Sequence, residues 1–379
     1  VNIAHCYRMI HAHGGVCEYI AALAALQRAA GHRVFFFESV ATLPPAGAAA
    51  AMLVADAAEL HAACRRLGID ILHHHGSLLA AAPAGLPVVC TVHEHSPHCL
   101  SGGLFLKRRG LPCPRVYSPL GCAQGHLRDH CGSLRPARLI ANLRRLRAQR
   151  RLLPGVRVIC VGAFLKGRMV KSGYDPAAIE VIGNFAAIAP GREPVRVAPV
   201  PAFLFLGRLE KSKGVAWLLR AFAAVPGAAV LNIAGEGAEA ARLRALAGAL
   251  GIAGRVRFLG WVAGDAKREL LLDARALIVP SLWHETFGLV AAEAAALSRP
   301  VISSDAGELP YLIGDGVNGL VVPAGDMAAL ARAIGRLAVE RETARDMGFE
   351  NHLRYRRCFT PEEHLRRIEL VYAGELGRC

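Results

Sequence analysis

Phe203-Leu204-Phe205-Leu206-Gly207-Arg208-Leu209-Glu210-Lys211-Ser212-Lys213-Gly214 is a short apolar run followed by a polar loop bounded by two glycines. The run is too short for a helix and apolar throughout, so it reads as a strand buried on both faces. Beyond Gly214, Val215, Leu218, Leu219 and Phe222 recur at the spacing of one helical stripe, which predicts a helix. Arg208 and Lys213 therefore fall at the C-terminal end of a strand and just before a helix start. Open parallel sheets bind ligands at that edge, and the free N–H groups of a helix start favour anions. Two cations there suit a diphosphate. Taken alone, the pattern reads better as a solvated loop.

The same beat runs along the whole chain. Predicted strands lie at 1–6, 33–37, 69–73, 87–92, 156–161 and 179–182, and again at 203–206, 229–233, 256–259, 276–279, 300–303 and 319–322. Helical patterns fall between several of them, the clearest over 16–29. Alternating strands and helices predict an α/β chain with parallel sheets covered on both faces. Residues 186–201 carry four prolines and no periodicity, so they mark a boundary. The reading is two doubly wound domains, 1–190 and 200–360, and a last helix over 361–379 opened by Thr360-Pro361-Glu362-Glu363, which packs back on the first domain.

The chain has 379 residues, 53% of them apolar, with 45 Lys+Arg against 30 Asp+Glu, a net charge of +15. So apolar a chain is not disordered. Its longest apolar stretch, 78–92, is broken by Pro83 and Pro87 and falls short of the ~18 residues of a membrane span. The basic excess leaves nucleic acid, an anionic membrane or a phosphorylated substrate open. Eleven cysteines, an odd number in a chain that needs no staples, read as reduced thiols. The opening residues read as a core strand rather than a signal segment, so the expected location is the cytoplasm.

A second loop carries chemistry. The strand ending at Pro280 runs into Ser281-Leu282-Trp283-His284-Glu285-Thr286-Phe287-Gly288, and an Ala-rich helix with Glu293 follows. Two carboxylates so spaced can serve two ends of an extended ligand: Glu285 near a sugar, Glu293 at a ribose. Backbone N–H groups of Gly288, Leu289 and Val290 can receive phosphate. Each carboxylate by itself fits a loop or surface charge.

The two loops together resemble the retaining glycosyltransferases of family GT4, which have the GT-B architecture of two Rossmann-like domains facing a central cleft. The likeness rests on Gly207-Arg208-Leu209, Lys213-Gly214, Pro280-Ser281 and the E-x7-E pair Glu285 and Glu293. It continues through Arg299-Pro300-Val301-Ile302, Gly307 and Asp315-Gly316-Val317-Asn318-Gly319. Tyr311 stands where many relatives have Glu. The resemblance implies transfer of a sugar from a nucleotide diphosphate sugar to a glycan or lipid-linked hydroxyl in envelope or exopolysaccharide synthesis. It assigns catalysis to His93, Glu285, Arg208 and Lys213. Donor binding falls to Gly14, Gly15, Gly207, Phe287, Gly288, Leu289, Val290 and Glu293. No cofactor is required for catalysis. Gly14-Gly15 open the first long helix, and His93 ends a strand; Glu94 replaces the Asp that usually follows that His.

Two features of the first half stand apart. Cys99, Cys113, Cys122 and Cys131, with histidines nearby, form a candidate structural zinc set, although the C-x2-C spacing of ordinary zinc modules is absent. Residues 135–153 place Leu139, Leu143, Leu146 and Leu153 on one helical face among Arg144, Arg145, Arg147, Arg150 and Arg151, a candidate peripheral contact with an anionic membrane. The competing readings are a GT-B nucleotide-sugar epimerase and a basic nucleic-acid-binding module. With 6% aromatic residues and no basic–aromatic interleaving, the chain lacks stacking platforms, so no nucleic acid is expected.

Overall fold

A computed structural model describes residues 1–10, 14–41, 50–78, 81, 83, 85–188, 190 and 200–377. The predicted linker at 186–201 and the His13 before Gly14 lie largely or wholly outside them. The chain divides into two compact units. One comprises Val1–Gly103, Arg115–Ala187 and Thr360–Cys379, the other Leu104–Pro114 and Ile188–Phe359.

The first unit is built on β1 (Asn2–Tyr7), β2 (Arg33–Glu38), β3 (Met52–Leu53), β4 (Ile71–His75) and β5 (Val88–Val92). After the hairpin strands β6 (Phe105–Leu106) and β7 (Leu111–Pro112) come β8 (Arg157–Cys160) and β9 (Ile179–Val181). The sheet order is β3-β2-β1-β4-β5-β8-β9, parallel at every pairing. Its helices are α1 (Gly15–Ala29), α2 (Ala57–Leu67), α3 (Pro119–Arg128), α4 (Pro136–Leu152) and α5 (Ala163–Lys171). Ile3, Ile71, Val89 and Ile159 are fully buried in one cluster with Ile368 and Tyr372 of the last helix. Residues 104–114, inside the range read as the first domain, group instead with the second unit. There the antiparallel β6–β7 hairpin buries Phe105 and Leu106, and the His284 ring bonds the Cys113 carbonyl at 3.0 Å.

The second unit has β10 (Ala202–Leu206), β11 (Val230–Ala234), β12 (Val256–Gly260), β13 (Ala276–Val279), β14 (Val301–Ser304) and β15 (Gly319–Val322). Its order is β12-β11-β10-β13-β14-β15, again all parallel. Around it lie α6 (Val215–Ala223), α7 (Ala240–Ala249), α8 (Gly264–Asp273), α9 (Leu289–Ala296), α10 (Leu309–Leu312), α11 (Met327–Val339) and α12 (Arg341–Cys358). The stripe read from sequence, Val215, Leu218, Leu219 and Phe222, is buried in the main core. The final helix, α13 (Pro361–Leu376), starts with Thr360 Oγ1 accepting from the Glu363 N–H, and Pro361 fills the first turn.

Each sheet reverses direction once. From β10 the chain moves outward through β11 to β12, then returns to lay β13 on the other side of β10. In the first unit the same happens between β1 and β4. Loops leaving the two strands at such a point turn opposite ways and open a crevice at the sheet's C-terminal edge.

Candidate functional site

In the second unit the two loops singled out from sequence leave β10 and β13, the strands flanking the reversal. They are tied together. The Leu282 N–H donates to the Ser212 carbonyl at 2.8 Å. Gly214, in the left-handed region at φ 71°, lies so close that a Cβ there would sit 1.8 Å from the Pro280 carbonyl oxygen. Only glycine tolerates both conditions.

This contact brings Lys213 and Glu285 together across 72 residues of sequence. The Lys213 ammonium donates to Glu285 Oε1 at 2.7 Å, and the Ser281 hydroxyl donates to the same oxygen. Lys213 Nζ also lies 5.0 Å from the Trp283 ring centroid, within cation–π range. Glu285 is held from its backbone: it bridges to Gly307, and its carbonyl accepts from the Glu308 N–H at 2.8 Å. Burial alone would push the Glu285 carboxyl up. The Lys213 charge and hydrogen bonds from Lys213, Ser281 and Trp283 outweigh it and hold the carboxyl below the usual range. The result is a part-buried ion pair at a sheet edge, next in sequence to the starts of α6 and α9. Neither helix start carries a side-chain cap.

The other candidates divide. Arg208 is largely exposed and pairs with Glu210 at 2.8 Å. Gly207 sits at φ 153° where β10 ends. Glu293 is only 7% exposed, which removes the reading of a surface helix charge. It accepts from Lys267 of α8 at 2.6 Å, a partner that sequence reasoning missed; a lysine in the first turns of a short helix carries no distinguishing signal. Gly288 caps α9 at φ 107° ahead of Leu289 and Val290. Phe287, expected to bind the donor, has its ring buried edge-on against Phe359, 5.6 Å between centroids.

In the first unit Gly14 caps α1 at φ 144° with Gly15 as the first helical residue, again without a side-chain cap. His93 follows β5 and is buried, with Nε2 3.2 Å from His75 Nδ1. Burial pushes its pKa down to about 3. The Ser96 hydroxyl bonds the Glu94 carboxylate.

The candidate zinc set is Cys99, Cys113, Cys122 and Cys131. Cys113 belongs to the second unit and the other three to the first. Cys131 Sγ lies 3.4 Å from His126 Nδ1, and Cys99 Sγ 3.3 Å from the Ser101 hydroxyl. Among the described residues the one group of three metal-ligating side chains with mutually close atoms is His5, His73 and His75. Their six ring nitrogens already bond to one another or to Gln27, His93, Tyr372 and Thr91.

Helix α4 also departs from expectation. Leu146 and Leu153 turn fully inward, whereas Arg144, Arg147 and Arg151 face solvent. Arg150 is tied to the Ser172 carbonyl at 2.9 Å and lies over the Tyr117 and Tyr174 rings. Exposed apolar side chains come instead from Leu120, Leu127, Leu134 and Ile140, on or beside α3 and α4. No helix among the described residues is long and apolar enough to cross a membrane.

Comparison with known families fits this geometry. Residues 13–188 match the family described as Glycosyltransferase Family 4, and 194–352 match Glycosyl transferases group 1. The chain belongs to the family 4 glycosyltransferases. A lipopolysaccharide core biosynthesis glycosyltransferase, LpsE of Rhizobium meliloti, is 34% identical over 200 residues, 52% of this chain and 57% of that protein. A D-inositol 3-phosphate glycosyltransferase of Mycobacterium bovis is 32% identical over 285 residues, 68% of this chain and 58% of that one. The alignments thus span little more than half of these relatives. Among solved structures, sucrose-phosphate synthase from Thermosynechococcus elongatus superposes with a TM-score of 0.74 at 20% identity, covering 100% of both chains. HepE of Anabaena in complex with UDP gives 0.74 at 16% identity, covering 99% of this chain and 100% of that one. These likenesses establish the GT-B fold of this family 4 chain.

Proposed function

We propose that this family 4 protein transfers a sugar from a nucleotide diphosphate sugar to a hydroxyl of a glycan or lipid-linked acceptor, with retention of anomeric configuration. The observation that carries the reading is the part-buried Lys213–Glu285 pair held at the sheet reversal, beside two helix starts. A leaving diphosphate needs cations and N–H donors; a sugar needs a fixed hydroxyl acceptor. The cluster has both within one contact.

In this reading Lys213 and Arg208 stabilise the charge that develops on the departing diphosphate, in most enzymes the largest electrostatic contribution. Glu285 orients the sugar, Glu293 takes the ribose with Lys267 fixing its carboxylate, and His93 is assigned to the transferred sugar. The departing phosphate oxygen accepts the proton of the attacking hydroxyl on the face it leaves, so no nucleophile of the protein is required. The cations are side chains, and the reading asks for no metal. A UDP-bound neighbour and relatives named for lipopolysaccharide core synthesis support a nucleotide-sugar donor and an envelope acceptor.

A melting-temperature panel of UDP-, GDP-, ADP- and dTDP-sugars tests the donor assignment. One nucleotide should raise Tm by mass action, by about 2.7 kcal/mol of stabilisation at a hundredfold excess over Kd. No rise with any of them contradicts the reading. Consumption of the selected donor without acceptor would favour an epimerase.

We also propose that the basic face of α4, with Leu120, Leu127, Leu134 and Ile140 nearby, rests on an anionic membrane. Vesicles of anionic lipid should then sediment the protein, and added salt should release it. Equal recovery with neutral vesicles counts against attachment.

A further inference from the structure

We infer that Gln27, acting through His5 and His75, fixes which nitrogen of His93 carries the proton: Nε2 is protonated and Nδ1 is a hydrogen-bond acceptor. The inference rests on the reading of His93 as a sugar-contacting residue only for its consequence in catalysis; the proton arrangement stands on its own.

The register of the first sheet stacks these rings. Ile3 pairs with Ile71 and His5 with His73, and His75 follows two residues along on the same face. A continuous line of contacts results. Gln27 Oε1 lies 2.7 Å from His5 Nε2, His5 Nδ1 2.9 Å from His75 Nε2, and His75 Nδ1 3.2 Å from His93 Nε2. All four side chains are buried. Burial brings His5 down to about 4, His93 to about 3, and His75 well below its ordinary value, so each ring is neutral near pH 7 and carries one proton. Three protons must then serve three contacts. That is satisfied only if every N–H points the same way along the line.

The direction is set at Gln27. Its other amide atom meets the Tyr372 hydroxyl at 3.2 Å, and that hydroxyl lies 2.6 Å from His73 Nδ1. A contact of 2.6 Å is short for N–H···O and suits a phenol O–H donating to a bare ring nitrogen. Burial keeps the Tyr372 phenol protonated by raising its pKa. Tyr372 thus spends its one proton on His73 and can only accept from Gln27, which turns the amide N–H2 toward Tyr372 and the carbonyl toward His5. His5 Nε2 donates to that carbonyl, His75 Nε2 donates to His5 Nδ1, and His93 Nε2 donates to His75 Nδ1. His73 Nε2 in turn donates to the Thr91 hydroxyl at 2.7 Å. The role left to His93 Nδ1 is acceptance, which suits a sugar hydroxyl that donates. Gln27, His5 and His75 are positioning residues.

Long-range 1H–15N correlation spectra of the full chain, with labelled imidazoles at neutral pH, read the tautomer directly. His93 should show a protonated Nε2 and a bare Nδ1. A protonated Nδ1, or a charged ring, overturns the inference. In Gln27→Leu the His93 signals should move toward a mixture of tautomers, and Gln27→Glu, still an acceptor toward His5, should restore the single form. An unchanged His93 in folded Gln27→Leu also overturns it. If Gln27→Leu fails to fold, the wild-type and Gln27→Glu spectra decide, and a mixed His93 tautomer in either overturns the inference. Gln27→Leu should lower turnover about tenfold, the worth of one hydrogen bond, with nucleoside diphosphate affinity unchanged. A correct tautomer in a protein that moves no sugar would refute the transferase reading and leave the proton arrangement intact.

Discussion

Replacing Lys213 with alanine is expected to lower turnover by about 10²–10³-fold, the usual cost of removing one preorganised donor from a developing oxyanion. The fold should survive. The Lys213 side chain lies on a loop at the rim, 18% exposed, and its removal cuts no core contact. The carboxylate it leaves behind does not. Glu285 keeps its burial and loses the charge that offset it, so its pKa should rise. The sign follows from the wild type. There the folded-state carboxyl is held below its ordinary value, so its pairing contributes stability that is present above the unfolded pKa, about 4.3, and is lost as pH falls through the lower folded value. In Lys213→Ala that acid-side loss should shrink or disappear. Melting curves from pH 7 to 3 check it, and identical acid profiles for the two proteins would deny that the pair is ionised in the native state.

Glu285→Gln is the complementary change, with turnover expected to fall about 10²-fold or more by the loss of a charged acceptor at the sugar. Its effect on the nucleotide has the opposite sign to that of Lys213→Ala. On the proposed reading, Glu285 and an incoming diphosphate compete for the same ammonium, which lies 2.7 Å from the carboxylate in the free protein. Neutralising the carboxylate releases Lys213, so a bare nucleoside diphosphate should bind at least as tightly as to wild type. Because the two side chains act as one unit, the double variant should lose far less than the product of the single losses.

Much of this was legible before any coordinates. Apolar runs bounded by glycine and proline marked the twelve main strands to within about two residues, because parallel strands buried on both faces carry an unambiguous signal. The two-residue strands β3, β6 and β7 are too short to have a period. They were missed, and with them the hairpin that groups with the second unit. The loops at 207–214 and 280–288 stood out in the sequence, but the ion pair that joins them did not. That Lys213 meets Glu285 depends on β13 lying beside β10, a fact of crossover topology and not of local pattern. Lys267 was invisible for a related reason: a lysine near a helix start is usually solvated, and only burial of Glu293 makes it otherwise. The strand read over 69–73 took in only the first of the histidines at 73–75, and gave them no role. Their function as a line of contacts needs the register that sets His5 beside His73.

In the proposed mechanism the Lys213–Glu285 pair at the edge of the second sheet exchanges its carboxylate for the donor's diphosphate. Calorimetric titration of the nucleoside diphosphate selected by the melting panel, into wild type, Lys213→Ala and Glu285→Gln, tests it most directly. The predicted result is weaker binding than wild type in the lysine variant, by about tenfold or more for the loss of a charge-assisted bond, and equal or tighter binding in the glutamine variant. Equal affinities for wild type and Lys213→Ala would contradict it.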